Sequence, residues 1–211
     1  MDGRSDRATP EAKYPWLKPG VLVGSLIPLG LLVSDALRGT LGADPVAIAL
    51  NRLGLLALTL LVASLAATPL RSWFDVTWPM RIRQLLGLLA FFYASLHMLV
   101  YAAVDQGVSL GAIVEDVLER KFITAGFAAF LLLVPLALTS TARARRRLGG
   151  RRWQRLHRLV YPAAMLAVLH FIWRVKQDLS QPLAYALVLA VLLLARVLVI
   201  QRRRAAAARA S

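Results

Sequence analysis

The sequence predicts an all-α fold, an integral membrane bundle of six transmembrane helices with both termini cytoplasmic. Three observations carry that prediction. Of the 211 residues 58% are hydrophobic and the mean hydropathy is +0.61, too apolar a balance for an ordinary soluble domain of this length. Six apolar runs, at about 17–37, 46–68, 84–104, 122–141, 157–174 and 182–200, each approach the roughly 20 residues that a bilayer requires. Finally, Lys and Arg collect on alternate connections, as cytoplasmic loops do.

Residues 1–16 are polar and mixed in charge and read as a disordered arm. They lack the form of a secretory signal, and the first run reaches Ser34-Asp35 without a small-residue cleavage site, so it is expected to remain as a helix. Gly20 and Gly24 have the spacing of a helix-packing pair, a common pattern. Pro28, Pro135 and Pro162 fall inside spans, where membranes tolerate the freed carbonyl if a neighbouring helix satisfies it. The connections are short, so 17–200 forms one domain, followed by a basic tail over 201–211. Arg71, Arg81 and Arg83, then RARRRLGGRRWQR at 143–155, then Arg202, Arg203 and Arg204 share one side. Asp44, Asp105, Glu115, Asp116 and Glu119 occupy the other. The basic side is therefore predicted to be cytoplasmic.

The net charge of +15 does not indicate nucleic acid, because the basic residues lie between and beyond apolar blocks rather than along one soluble face. The absence of cysteine removes disulfides, thiolate ligation, iron–sulfur clusters and thioether-linked haem. A metal would have to rest on His, Met or carboxylate. The arginines from Arg143 to Arg158 have two readings. One is a topology signal; the other is an anion site at the membrane edge, since a guanidinium fork pairs with haem propionates or a flavin phosphate. Trp153 reads as an interfacial anchor.

The three histidines are all in or beside spans, where ionisable groups are costly and tend to be functional. His97 lies about 18 Å in from the cytoplasmic edge of the third span, at about 1.5 Å per residue. On the fifth span His170 lies about 19.5 Å beyond His157 by the same rise. His97 and His170 therefore reach one depth, where two imidazoles facing each other can ligate a b-type haem on the periplasmic side. On a straight helix His157 and His170 stand about 140° apart, a difference that a kink at Pro162 reduces. His157 stays near the cytoplasmic edge, level with Arg83-Gln84, where no histidine waits. It is open to a second haem, a flavin, or a hydrogen bond to a propionate. Buried histidines also serve as interhelical glue or proton relays in permeases and scaffolds. Zinc spacings such as H-E-x-x-H are missing, Met98 and Met165 read as packing, and Ser95 stands at i,i+2 from His97, on a different face, which argues against a hydrolase.

The segments LGADP at 41–45, TLLVASLAATPLR at 59–71, RQLLGLLAFFYASLHMLVY at 83–101 and RRLGGRRWQRLHRLVYPAAMLAVLHFIW at 146–173 resemble the MsrQ (YedZ) family of haem-binding membrane subunits, within the ferric-reductase-like transmembrane group. The likeness runs from Leu41 to Leu194. It implies a carrier of electrons with one or two b haems between spans three and five, and it allows a bound FMN. The implied partner is MsrP, a periplasmic molybdenum-cofactor enzyme that reduces methionine sulfoxide in oxidised envelope proteins. The implied donor is the quinone pool or a cytoplasmic flavin reductase. Candidate cofactor-binding residues are His97, His157, His170, Arg83, Arg151, Arg152 and Arg155, with the three histidines as candidate iron ligands. Family members often carry a second Arg where this chain has Gln84. Compared with the related oxidases, its third span has one histidine where two haems would need two. No Gly-rich nucleotide fingerprint follows a strand, so donor and acceptor are other molecules.

The orientation is testable by reporter fusions. A cytoplasm-active reporter joined after residue 211 or within 143–150 should be active, and a periplasm-active one should be active within 106–109. The reverse pattern would overturn the topology.

Overall fold

The computed structural model describes residues 14–209; residues 1–13 of the arm expected at 1–16 and the last two residues of the tail lie outside the described residues. Among the described residues the chain is helical, without strands. The elements are α1 (Leu17–Leu37), α2 (Pro45–Phe74), α3 (Pro79–Val100) continued by one π-helical turn (Tyr101–Asp105), α4 (Leu110–Glu119), α5 (Lys121–Leu138), α6 (Ala142–Leu148), α7 (Gly150–His157), α8 (Val160–Arg174) and α9 (Ser180–Arg209). Six stretches are long and apolar enough to cross a membrane: α1, α2, α3 with its π turn, α5, α7–α8 together, and α9 to Arg202. The expected six spans are therefore present, with α4 and α6 as short helices between them.

Local chemistry fixes the boundaries. Asp44 caps α2 by accepting from the Ala47 amide at 2.9 Å, and Pro45 occupies the first turn, where its missing N–H costs nothing. The helix runs to Phe74, past the expected end at 68, and takes Pro69 into its interior. Asp75 stops it in the left-handed region, φ 53°. The expected kink at Pro162 takes the form of a break between α7 and α8, at Arg158-Leu159. Pro162 has no N–H for the Arg158 carbonyl, which accepts from Tyr161 instead at 3.1 Å, so the chain tightens there by one residue. The basic tail is a helical extension of α9 rather than a separate segment.

α2 packs most extensively on α3, and α5 on α8, giving two antiparallel hairpins that α9 joins along α2 and α8. The main core draws Leu61, Leu65, Ala90, Leu133, Ala163, Ala164 and Val168 from these elements. Ala90, Ala163 and Ala164 are fully enclosed. Small residues here let backbones approach in a solvent that gives apolar side chains no reason to leave it. Polar ties complete the packing: the Tyr93 hydroxyl, fully buried, donates to the Ser25 carbonyl of α1, and Thr59 shares a 2.7 Å bond with Tyr185 between α2 and α9. Outward side chains such as Leu131, Leu187 and Val191 stay exposed for lipid.

Replacing Ala163 by Leu should destabilise the bundle by about 1–3 kcal/mol through overpacking, read as a lower unfolding temperature in detergent. Leu187→Ala, on the exposed face, should leave that temperature nearly unchanged. Equal effects would contradict this packing.

Candidate functional site

The two hairpins face each other at the end of the bundle that carries α4, and each contributes one imidazole. His97, near the end of α3, and His170, one turn before the end of α8, approach with ring centres 6.1 Å apart and planes at 85°. Neither ring hangs free. His97 Nδ1 lies 2.8 Å from the Leu50 carbonyl of α2, and His170 Nδ1 lies 2.7 Å from the Phe122 carbonyl of α5. A carbonyl can only accept, so both Nδ1 atoms carry the proton and both Nε2 atoms keep the lone pair. Two neutral imidazoles with free Nε2 atoms on one cavity are a ligand pair for a metal that brings its other donors with it. Among the described residues no group of three His, Asp or Glu gathers to hold an ion.

That cavity is small, about 320 Å³, and mostly apolar. Gly54, Ala94, Gly126, Phe127 and Phe130 line it alongside the two histidines. At its rim stand Tyr101, Asp105, Arg120 and Arg174. Arg174 donates to Asn51 at 2.8 Å. Asp116, nearly buried, gathers Tyr101 at 3.1 Å, Gln106 at 3.1 Å and Arg120 at 3.1 Å. One carboxylate thus ties the π turn, the loop after it and α4 to the start of α5. π turns frequently mark functional sites.

A second cavity, about 780 Å³, opens at the other end. Arg83, Arg145, Arg158 and Arg196 line it with His157 and Trp153, and among the described residues no carboxylate does. His157 stacks on Trp153 with centres 3.9 Å apart. Its Nε2 lies 3.1 Å from Thr139 Oγ1, whose own proton goes to the Pro135 carbonyl at 2.6 Å, so Nε2 is the donor. The protonated nitrogen of His157 is thus the opposite one from that of the other two histidines. Trp153 donates to the Thr139 carbonyl at 2.9 Å, a tie beyond the anchoring expected of it. Gln84 also lines the cavity and donates to the Ser140 carbonyl, linking α3 to the end of α5.

The structure therefore brings His97 and His170 together and keeps His157 apart from them, beside Arg83. Arg151, Arg152 and Arg155 are exposed on α7 and absent from the cavity lining. Arg145, Arg158 and Arg196 stand there instead. Sequence reading passed over the Leu50 and Phe122 carbonyls, which no residue type announces, and over Gly54 and Gly126. The glycines left only a weak signal, since a glycine costs an apolar helix stability relative to alanine and several other glycines of the spans share that cost.

Comparison with known proteins places the chain among relatives. The family model "Ferric reductase like transmembrane component" matches residues 53–168. A protein of Deinococcus radiodurans named protein-methionine-sulfoxide reductase heme-binding subunit MsrQ is 57% identical over 87% of this chain and 90% of its own length. Proteins of the same name from Rhodospirillum rubrum and Herminiimonas arsenicoxydans are 50% and 44% identical, over 87% and 86% of this chain and 88% and 84% of theirs.

The Asp116 tie is testable by hydrogen exchange. Asp116→Asn should speed exchange across 101–120 while leaving α2 and α3 before residue 97 unchanged. Unaltered exchange in 101–120 would show that the carboxylate holds nothing in place.

Proposed function

Since the chain belongs to the MsrQ family of haem-binding subunits, within the ferric reductase like transmembrane family, we propose that it holds b-type haem between α3 and α8 through His97 and His170 and carries electrons across the bacterial inner membrane to a periplasmic MsrP-like molybdoenzyme. The observation that carries this reading is the 6.1 Å between imidazole centres. Two metal–imidazole bonds of about 2.1 Å each, with about 1.2 Å more from each nitrogen to its ring centre, span about 6.5 Å, so the pair as it stands needs to open by only about 0.4 Å to grip one iron. The donor set fits as well. His97 and His170 would be the two protein ligands of an iron whose remaining donors come with the porphyrin, and both Nδ1–H groups are committed to backbone carbonyls, which fixes the tautomer and ring orientation that a ligand needs.

A haem bound there supplies a one-electron carrier whose potential is set by axial ligation, burial and nearby charge. The chain's own part is to bind and orient. His97 and His170 ligate, the apolar wall from Gly54 to Phe130 excludes water, and Arg174 at the rim suits a propionate. The sulfoxide is reduced on the partner, which repairs oxidised methionine in envelope proteins.

The basic cavity is the proposed entry level. Arg83 with Arg145, Arg158 and Arg196, unmatched by any carboxylate among the described lining residues, attracts an anion, and the two cofactors that the resemblance offers for His157, a second haem or FMN, both carry one. His157 would contribute an imidazole already steadied by Trp153 and Thr139. Exposed on α7, Arg151, Arg152 and Arg155 serve lipid phosphates or the anionic side of the donor, which is the quinone pool or a cytoplasmic flavin reductase. With the positive-inside assignment this end, and both termini, are cytoplasmic.

One absorbance series tests the reading. The purified protein should show a Soret band and, with dithionite, the sharp bands of low-spin haem. His97→Ala and His170→Ala should each remove the same haem signal, while His157→Ala should leave it. A colourless protein, or unchanged spectra in both ligand variants, would return the histidines to interhelical hydrogen bonding.

A further inference from the structure

The two ligand histidines are seated by the same device. His97 Nδ1 donates to the carbonyl of Leu50, and four positions on in α2 stands Gly54. His170 Nδ1 donates to the carbonyl of Phe122, and four positions on in α5 stands Gly126. The spacing has a steric meaning. In a helix each Cβ leans toward the N-terminus, so the side chain at i+4 covers the carbonyl at i. That carbonyl already accepts the amide of residue i+4, and its second lone pair is reachable only if the cover is removed.

The distances agree. A Cβ on Gly126 would lie 2.7 Å from His170 Nδ1 and 3.0 Å from its Cε1, and one on Gly54 would lie 3.2 Å from both Nδ1 and Cε1 of His97. Gly24, Gly30 and Gly87, also inside apolar helices, would meet nothing within 4 Å. Close approach is thus particular to the two glycines beneath the histidines.

We propose that Gly54 and Gly126 are positioning residues of the haem site, uncovering the Leu50 and Phe122 carbonyls so that each imidazole docks on the neighbouring helix with Nδ1 protonated and Nε2 left to ligate. This presupposes that His97 and His170 hold haem. It adds a matched element in each hairpin, α2 serving α3 and α5 serving α8. The two sites differ in tolerance. At Gly126 a methyl group would force the His170 ring off its present seat and strain its carbonyl bond; at Gly54 a shift of a few tenths of an ångström accommodates it. The imidazole separation lies close to a two-ligand span, so the larger displacement of the His170 ring would weaken its hold on an iron more than the smaller tilt of the His97 ring.

The test compares the full-length protein with Gly126→Ala, Gly54→Ala and Gly30→Ala, each purified with its haem, by haem per polypeptide, spin state and midpoint potential. Gly126→Ala should bind haem about 10–100-fold more weakly, the loss typical of a removed ligand support, and the haem it retains should turn high-spin. Gly54→Ala should stay low-spin with a shifted midpoint, and Gly30→Ala should match the parent. A Gly126→Ala protein with parental occupancy, spin and midpoint would overturn the proposal. So would reduced yield with unaltered spin and midpoint, the mark of a merely structural role. If Gly126→Ala does not accumulate in the membrane, Gly54→Ala decides, and an unshifted midpoint overturns the idea. A parent protein without haem would instead refute the ligand reading itself, before any variant is compared.

Discussion

The structure depends on two imidazoles meeting inside the apolar bundle while each is tied by Nδ1 to a backbone carbonyl of its neighbouring helix. In lipid a polar ring without a partner is costly, and the carbonyl bond removes that cost on one side of each ring only. The other nitrogen keeps its lone pair, which is what a metal ligand requires. The same bonds lock α2 to α3 and α5 to α8, so the contacts that orient the two rings also build the two hairpins. Enclosed alanines bring the hairpins close enough for the rings to meet, and the aspartate beneath the π turn holds the outer rim.

The two cavities divide the electrostatic labour. The smaller is mostly apolar, with Arg120 and Arg174 among its described lining residues, as would suit the proposed haem held by neutral imidazoles. Among the described residues the larger has four arginines and no carboxylate on its wall, a local excess of positive charge that draws anions toward the end where electrons are proposed to enter. The sequence-level excess of basic residues thus acquires two addresses. One is the cavity wall, reached by arginines from α3, α6, the α7–α8 break and α9. The other is the exposed face of α7, which carries the arginines most prominent in the sequence.

Much of this was legible before any coordinates. Six apolar runs predicted six spans because the bilayer imposes a length on every helix, and depth arithmetic alone brought His97 and His170 to one level. Boundaries drifted where local chemistry outranked hydropathy. Pro69 continued inside α2 because it was preceded by enough apolar helix to carry it, and the Pro162 effect appeared at Arg158-Leu159, where the missing N–H would have bonded. The lower site was less legible. Arg145, Arg158 and Arg196 come to one cavity from three parts of the chain, and no spacing along the sequence encodes that convergence. Neither could residue types reveal that Leu50 and Phe122 act through their carbonyls; only the glycines four positions later marked the spot.

Low-temperature electron paramagnetic resonance of the oxidised, haem-loaded protein tests the central claim most directly, because it reports how many imidazoles grip the iron and how their planes are set. Two ligands at 85° predict a low-spin ferric signal with the widely spread g values of near-perpendicular imidazoles. An axial high-spin signal would mean that a single histidine holds the iron, and would contradict the pairing of His97 with His170.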